Sequence, residues 1–166
     1  AGSNTQGRGV AIGFQASPNS QGTGGISIGT NTAYETQGAQ GIAIGSGAAF
    51  KNQGSSAVAI GENAGYLLQS QYSTAIGYYA GQLNQGVSAI AIGESAGYNT
   101  QGSSAVAIGN NAGYNGLGQY SVAIGAGAGL NDISGNNTFL GANTGADTTP
   151  NTYMYSTALG YLAFND

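Results

Sequence analysis

The sequence predicts an all-β solenoid of about ten 16-residue coils, and three observations carry that reading. First, a short string, clearest as Val58-Ala59-Ile60-Gly61, recurs and closes on Gly13, Gly29, Gly45, Gly61, Gly77, Gly93, Gly109, Gly125 and Gly141. Second, every step between these glycines is 16 residues, and a tenth copy, Ala158-Leu159-Gly160, follows after a step of 19. A period held this strictly marks a chain built of stacked supersecondary units. Third, the string is β-branched at alternate positions, which suits a short pleated strand.

Composition narrows the alternatives. The 166 residues include 32 glycines, two prolines, one methionine, no tryptophan and only 5% charged residues, unlike an ordinary globular domain. Glycine is not at every third position, so collagen is excluded. Periodic apolar residues argue against disorder. Arg8 and Lys51 are the only basic residues, which leaves no electrostatic footprint for nucleic acid or an anionic membrane. The formal charge of −4 comes from scattered acids rather than from an acidic tail. Without cysteine there is neither a disulfide framework nor a thiolate metal site. No apolar run approaches the roughly 20 residues that span a bilayer. The start, Ala1-Gly2-Ser3-Asn4, reads as processed or cut, with no secretory leader recognised.

Three segments follow: a polar lead-in over 1–9, regular repeats over 10–146, and an irregular insertion with the last coil over 147–166. Within a coil, the residue before the marker glycine is isoleucine from Ile12 to Ile124, then Leu140 and Leu159. Two places earlier stand Val10, Ile26, Ile42, Val58, Thr74, Ile90, Val106, Val122, Thr138 and Thr157. Residues two apart on a strand share a face, and these columns are expected to fill the interior. The column between them is small, with Ala43, Ala59, Ala75, Ala91, Ala107 and Ala123, and the exception Phe139. The expectation is a flat, outward, small-residue face suited to close approach by another sheet, with a plain solvent-facing strand as the alternative.

After the marker glycine, polar turns such as Glu62-Asn63 lead to Ala64-Gly65, Ala80-Gly81, Ala96-Gly97, Ala112-Gly113 and Ala128-Gly129. These are read as a second short strand, its alanine inward against the isoleucine column. An aromatic column comes next: Tyr34, Phe50, Tyr66, Tyr98 and Tyr114, broken by Gln82. Gln37-Gly38, Gln53-Gly54, Gln85-Gly86 and Gln101-Gly102 then read as corners where glycine supplies a positive φ. Beyond Asp147 the pattern decays, and Pro150 lies in the three-residue insertion. No cap is recognised at the N-terminal end, which raises end-to-end pairing as a possibility.

At these residues the chain resembles the head repeats of trimeric autotransporter adhesins, whose strand reads Ser-Val-Ala-Ile-Gly. Ser121-Val122-Ala123-Ile124-Gly125 contains that string and Ser104-Ala105-Val106-Ala107-Ile108-Gly109 comes close. Thr74-Ala75-Ile76-Gly77-Tyr78 is similar to repeats of phage and virus tail fibres. The resemblance runs from Val10 to about Gly160, and it implies a left-handed parallel β-roll whose three copies pack side by side along their small faces. Within these 166 residues no neck motif or heptad run of that family is read.

Chemistry is sparse. Histidine and cysteine are both missing, which removes the usual nucleophile–base pairs and zinc sites. Glu62 and Glu94 share a column two coils apart, roughly 10 Å at the strand spacing, and read as solvated surface acids rather than a catalytic pair. The chain is therefore expected not to be an enzyme and to use no cofactor. Its function is expected to be that of an extracellular structural or adhesive fibre segment, on a cell surface or a virion. Repeated weak contacts would bind a glycan or a matrix protein. Tyr66, Tyr98 and Tyr114 are candidate ligand contacts, with stacking between coils as their competing role. An ice-binding solenoid is the alternative function, although the flat column is alanine rather than the expected threonine ladder. A subunit polymerising end to end is a third.

Overall fold

The computed structural model describes residues 8–146 and 154–163. Among them the chain is an all-β solenoid without a helix. Ten three-residue strands form one parallel sheet in sequence order. They are Val10–Ile12, Ile26–Ile28, Ile42–Ile44, Val58–Ile60, Thr74–Ile76, Ile90–Ile92, Val106–Ile108, Val122–Ile124, Thr138–Leu140 and Thr157–Leu159. The register is columnar: Val58 faces Thr74, Ala59 faces Ala75 and Ile60 faces Ile76. The 19-residue step keeps the same alignment, since Phe139 faces Ala158. Nine turns of chain thus separate the first strand from the last.

A second, narrower parallel sheet forms the other side, from Leu68–Gln69, Asn84–Gln85, Thr100–Gln101, Gly116–Leu117 and Asn131–Asp132. Isolated bridges Gln37↔Gln53 and Gln53↔Gln69 extend it toward the N-terminal coils. The second strand therefore lies four residues later than the sequence predicts. Ala64 and Gly65 belong to the preceding turn, where Gly65 has φ 56°. Turns also bond coil to coil, as Gly65 N donates to Ala80 O at 2.9 Å and Gly77 N to Ile60 O at 2.8 Å.

The inside and the outside of the long sheet are the reverse of the expectation. Ala43, Ala59, Ala75, Ala91, Ala107 and Ala123 are completely buried, while the flanking isoleucines and valines face outward. The small column two places earlier, Ala57, Ser73, Ala89, Ala105 and Ser121, is buried as well. Ala64, Ala80, Ala96, Ala112 and Ala128 are inward as predicted, but they join the alanine column rather than the isoleucines. The reason is width. A Cβ built on Gly65 would sit 3.4 Å from the Ala59 Cβ, and one on Gly81 would sit 3.3 Å from the Ala75 Cβ. With the walls this close, methyl groups complete the packing and an isoleucine has nowhere to go.

The Gln-Gly corners also work differently. Gly38, Gly54, Gly86 and Gly102 are not in the left-handed region; a Cβ there would lie 2.3–2.5 Å from backbone of the next coil. Close stacking of coils, not backbone handedness, requires glycine at those places. The glutamines beside them point inward. Gln37, Gln53, Gln69, Gln85 and Gln101 are at most 3% exposed. Each donates from Nε2 across the interior to the carbonyl that opens a long strand: Ile26, Ile42, Val58, Thr74 and Ile90, at 2.6–2.8 Å. Nε2 of Gln53, Gln69 and Gln85 also meets Oε1 of the next glutamine at 3.1–3.3 Å.

The ladder ends at Leu117, which occupies the next glutamine position and is 1% exposed. One coil further the spacing shortens, because Leu117 pairs with Asp132 rather than with a residue 16 places on. Asp132 is fully buried, and its Oδ1 accepts from Asn137 Nδ2 at 2.8 Å and from Ser134 N at 3.3 Å. Phe139 enters the alanine column fully buried, lying where side chains on Gly129 and Gly145 would otherwise stand. The insertion around Pro150 and the polar lead-in before Arg8 lie outside the described residues.

Two glycines of one coil should respond differently to a methyl group. Gly77 has φ 128° and a Cβ would meet the Gly93 backbone at 2.6–2.8 Å. Gly81 has φ 54° and its Cβ would meet side-chain atoms at 3.0–3.3 Å, in a column where Ala33 and Ala49 already stand. Gly77→Ala should cost at least about 2 kcal/mol by overpacking and strain, and Gly81→Ala about 1 kcal/mol. Chemical denaturation of the two variants measures the difference.

Candidate interaction surface

What the rod presents outward follows from what its interior rejects. Each long strand carries two aliphatic or threonine side chains on its outer side, Val58 and Ile60 for example, in line with those of the coils above and below. Most are half-buried between these neighbours; Ile60 and Ile92 are 36% exposed, and Leu159 at the last coil 72%. The result is a flat, uncharged, β-branched face running along ten strands. The six alanines proposed as the association face lie behind it, and their side chains reach no outer surface.

The aromatic column forms a second feature at one edge. Phe50 lies between Tyr34 and Tyr66, with ring centroids 4.9 Å apart on each side and planes within 11° of parallel. Tyr98 and Tyr114 stack at 4.7 Å and 14°. Vertical stacking is the geometry that the coil spacing imposes on rings in register. Tyr66, Tyr98 and Tyr114 are therefore half-buried members of stacks rather than free platforms. More exposed tyrosines lie elsewhere: Tyr155 at 79% and Tyr161 at 72% in the last coil, and Tyr72 at 59% and Tyr120 at 58% in a turn column with positive φ.

Glu62 and Glu94 flank Tyr78 in a third column, one coil away on either side. Tyr78 therefore stands between the two acids in the column. Tyr78 and Tyr79 have ring centroids 4.0 Å apart at 52°, and Tyr79 meets Tyr98 edge-on at 6.1 Å. The hydrogen bond with Tyr79 pushes the Tyr78 phenol up to about 12, helped by desolvation and by the charges of Tyr79, Glu62 and Glu94. The basic side chain Lys51 is held by Glu35 at 3.2 Å, a half-exposed pair of small energetic weight. Among the described residues no three His, Cys, Asp or Glu side chains group as metal ligands. No helix there is long and apolar enough to cross a membrane.

The inward glutamines and the outward aliphatic face are the two features that column reading misses. Strict alternation shows which residues share a face but not which face is inside. The signal that discriminates them is the opposite wall: Ala64, Gly65 and their equivalents are too small to enclose a broad aliphatic core.

Comparison with known proteins returns no match of this chain to a protein-family model, a curated protein or a solved structure.

Tyr78 should be among the last tyrosines to ionise, and Tyr79→Phe should bring it back toward 10. Because its folded pKa is raised, the linked stabilisation is full below pH 10 and is lost as pH climbs from 10 toward 12. Ultraviolet titration of tyrosinate, comparing the two proteins, reads the shift.

Proposed function

We propose that the chain is a non-enzymatic segment of an extracellular fibre on a cell surface or virion, structural or adhesive, that works as a side-by-side homotrimer. The observation that carries this reading is the outward aliphatic face. A continuous apolar face of this regularity is what association surfaces look like, and water is a poor partner for it. Covering a fully exposed valine or isoleucine contributes about 1.5–3 kcal/mol, and half-exposed ones correspondingly less, multiplied over the rod. The interface residues in this reading are the outward ones, such as Ile44, Ile76, Ile92 and Ile108, in place of the buried alanines. The resemblance of Ser121–Gly125 to trimeric autotransporter heads supports a threefold arrangement. The absence of histidine and cysteine from the sequence supports a role without catalysis. Attachment through repeated weak contacts with a glycan or matrix protein is the adhesive form of the proposal.

Light scattering over a dilution series tests it, with a concentration-independent trimer expected. Ile76→Lys with Ile108→Lys should yield a monomer that keeps the wild-type circular dichroism. Ala91→Arg should instead lose the fold, since a buried, unpaired cation has no room and no partner. A wild-type monomer would overturn the trimer and free the regular face for ice, which thermal hysteresis would then measure. Masses that grow with concentration would point to end-to-end assembly.

A further inference from the structure

The rod departs from regularity most sharply where its second sheet changes spacing. There a cavity of about 330 Å³ opens on the outer side, lined by Thr100, Asn115, Gly116, Leu117, Gln119 and Ile133 together with neighbouring glycines. Its origin is legible residue by residue. The outward position of the second sheet carries Leu68, Asn84 and Thr100 in successive coils, all exposed. In the next coil that position is Gly116, so one side chain is missing from the column. The 15-residue pairing beyond it brings Ile133 alongside, its Cγ2 3.1 Å from where a Gly116 Cβ would be. Below, the ladder glutamine is replaced by Leu117, whose side chain is turned into the interior.

We infer that this notch binds one neutral sugar ring, an assignment that rests on the adhesive reading above and names its ligand class. A volume near the lower end of ligand pockets, roughly 300–1,000 Å³, admits a single ring rather than an oligosaccharide. No charged residue lines it, so nothing selects an ion. The rim carries the Thr100 hydroxyl and the Asn115 and Gln119 amides, groups that both donate and accept, as sugar hydroxyls do. Asn115 commits one donor to Asn131 Oδ1 at 2.6 Å, which fixes its plane and leaves its carbonyl oxygen for a ligand hydroxyl. Ile133, 58% exposed, offers C–H surface to the apolar face of the ring.

The test uses the whole chain and saturation-transfer NMR with methyl pyranosides of glucose, galactose, mannose and N-acetylglucosamine. Transfer to at least one is expected. Gly116→Thr, which restores the residue found at Thr100 one coil earlier, should abolish transfer while leaving circular dichroism and particle mass unchanged. Tyr72→Ser, an exposed change elsewhere, should keep it. Absence of transfer from all four sugars, or equal transfer in Gly116→Thr, overturns the site. A trimer without sugar transfer sinks the site and leaves the fibre reading intact; transfer on a monomer does the opposite.

Discussion

The distance between the two walls of each coil governs most of this structure. A Cβ on Gly65 would already touch Ala59 across the interior, so nothing larger than a methyl group fits between the alanine column and the turn that faces it. That limit expels isoleucine and valine to the outer face, although elementary hydrophobicity would place them inside. The corner glycines Gly38, Gly54, Gly86 and Gly102 answer a second limit, the closeness of one coil to the next. The little apolar burial available from alanine is supplemented by parallel hydrogen bonding along the rod and by glutamine side chains that tie one wall to the other. Buried amides of this kind are tolerated because their donors find partners in almost every coil.

The architecture was legible in the sequence because stacking forces identical residues into line. The marker glycines gave the coil length, and alternation around Ala59 gave the strand and its two faces. The choice of inner face was not legible from the strand alone. Val58, Ala59 and Ile60 alternate equally well either way up, and only the width of the coil decides. The glutamines were misread for a related reason. Gln-Gly looks like turn chemistry, yet here the polar side chain is interior and the glycine is a stacking residue. The position of the second sheet was lost with them, since its strands of two residues carry no periodicity of their own.

For candidate sites the regular positions told less than the exceptions. Tyr66, Tyr98 and Tyr114 attract attention as a column, but columns stack, and stacking covers one face of each ring. Gly116, Leu117, Asp132 and Phe139 each break a column, and the fold places their consequences within adjacent coils. Leu117 and Phe139 fill volume, Asp132 reorganises a polar contact through Asn137, and Gly116 leaves space. In a repeat rod, recognition requires some loss of sameness, because a surface alike at every step cannot present a single address.

The glutamine ladder gives the interior a direction. From Gln53 through Gln69 and Gln85 to Gln101, each amide donates to the one that follows, so their dipoles point the same way along the axis. Reversing one amide would set donor against donor on one side and acceptor against acceptor on the other, which couples the four into a single orientation. A whole 16-residue coil inserted within that run would extend the relay without disturbing it, whereas any fraction of a coil would break it. Length is therefore open to evolutionary change in whole increments of roughly 4.8 Å, while the polarity of the rod is fixed.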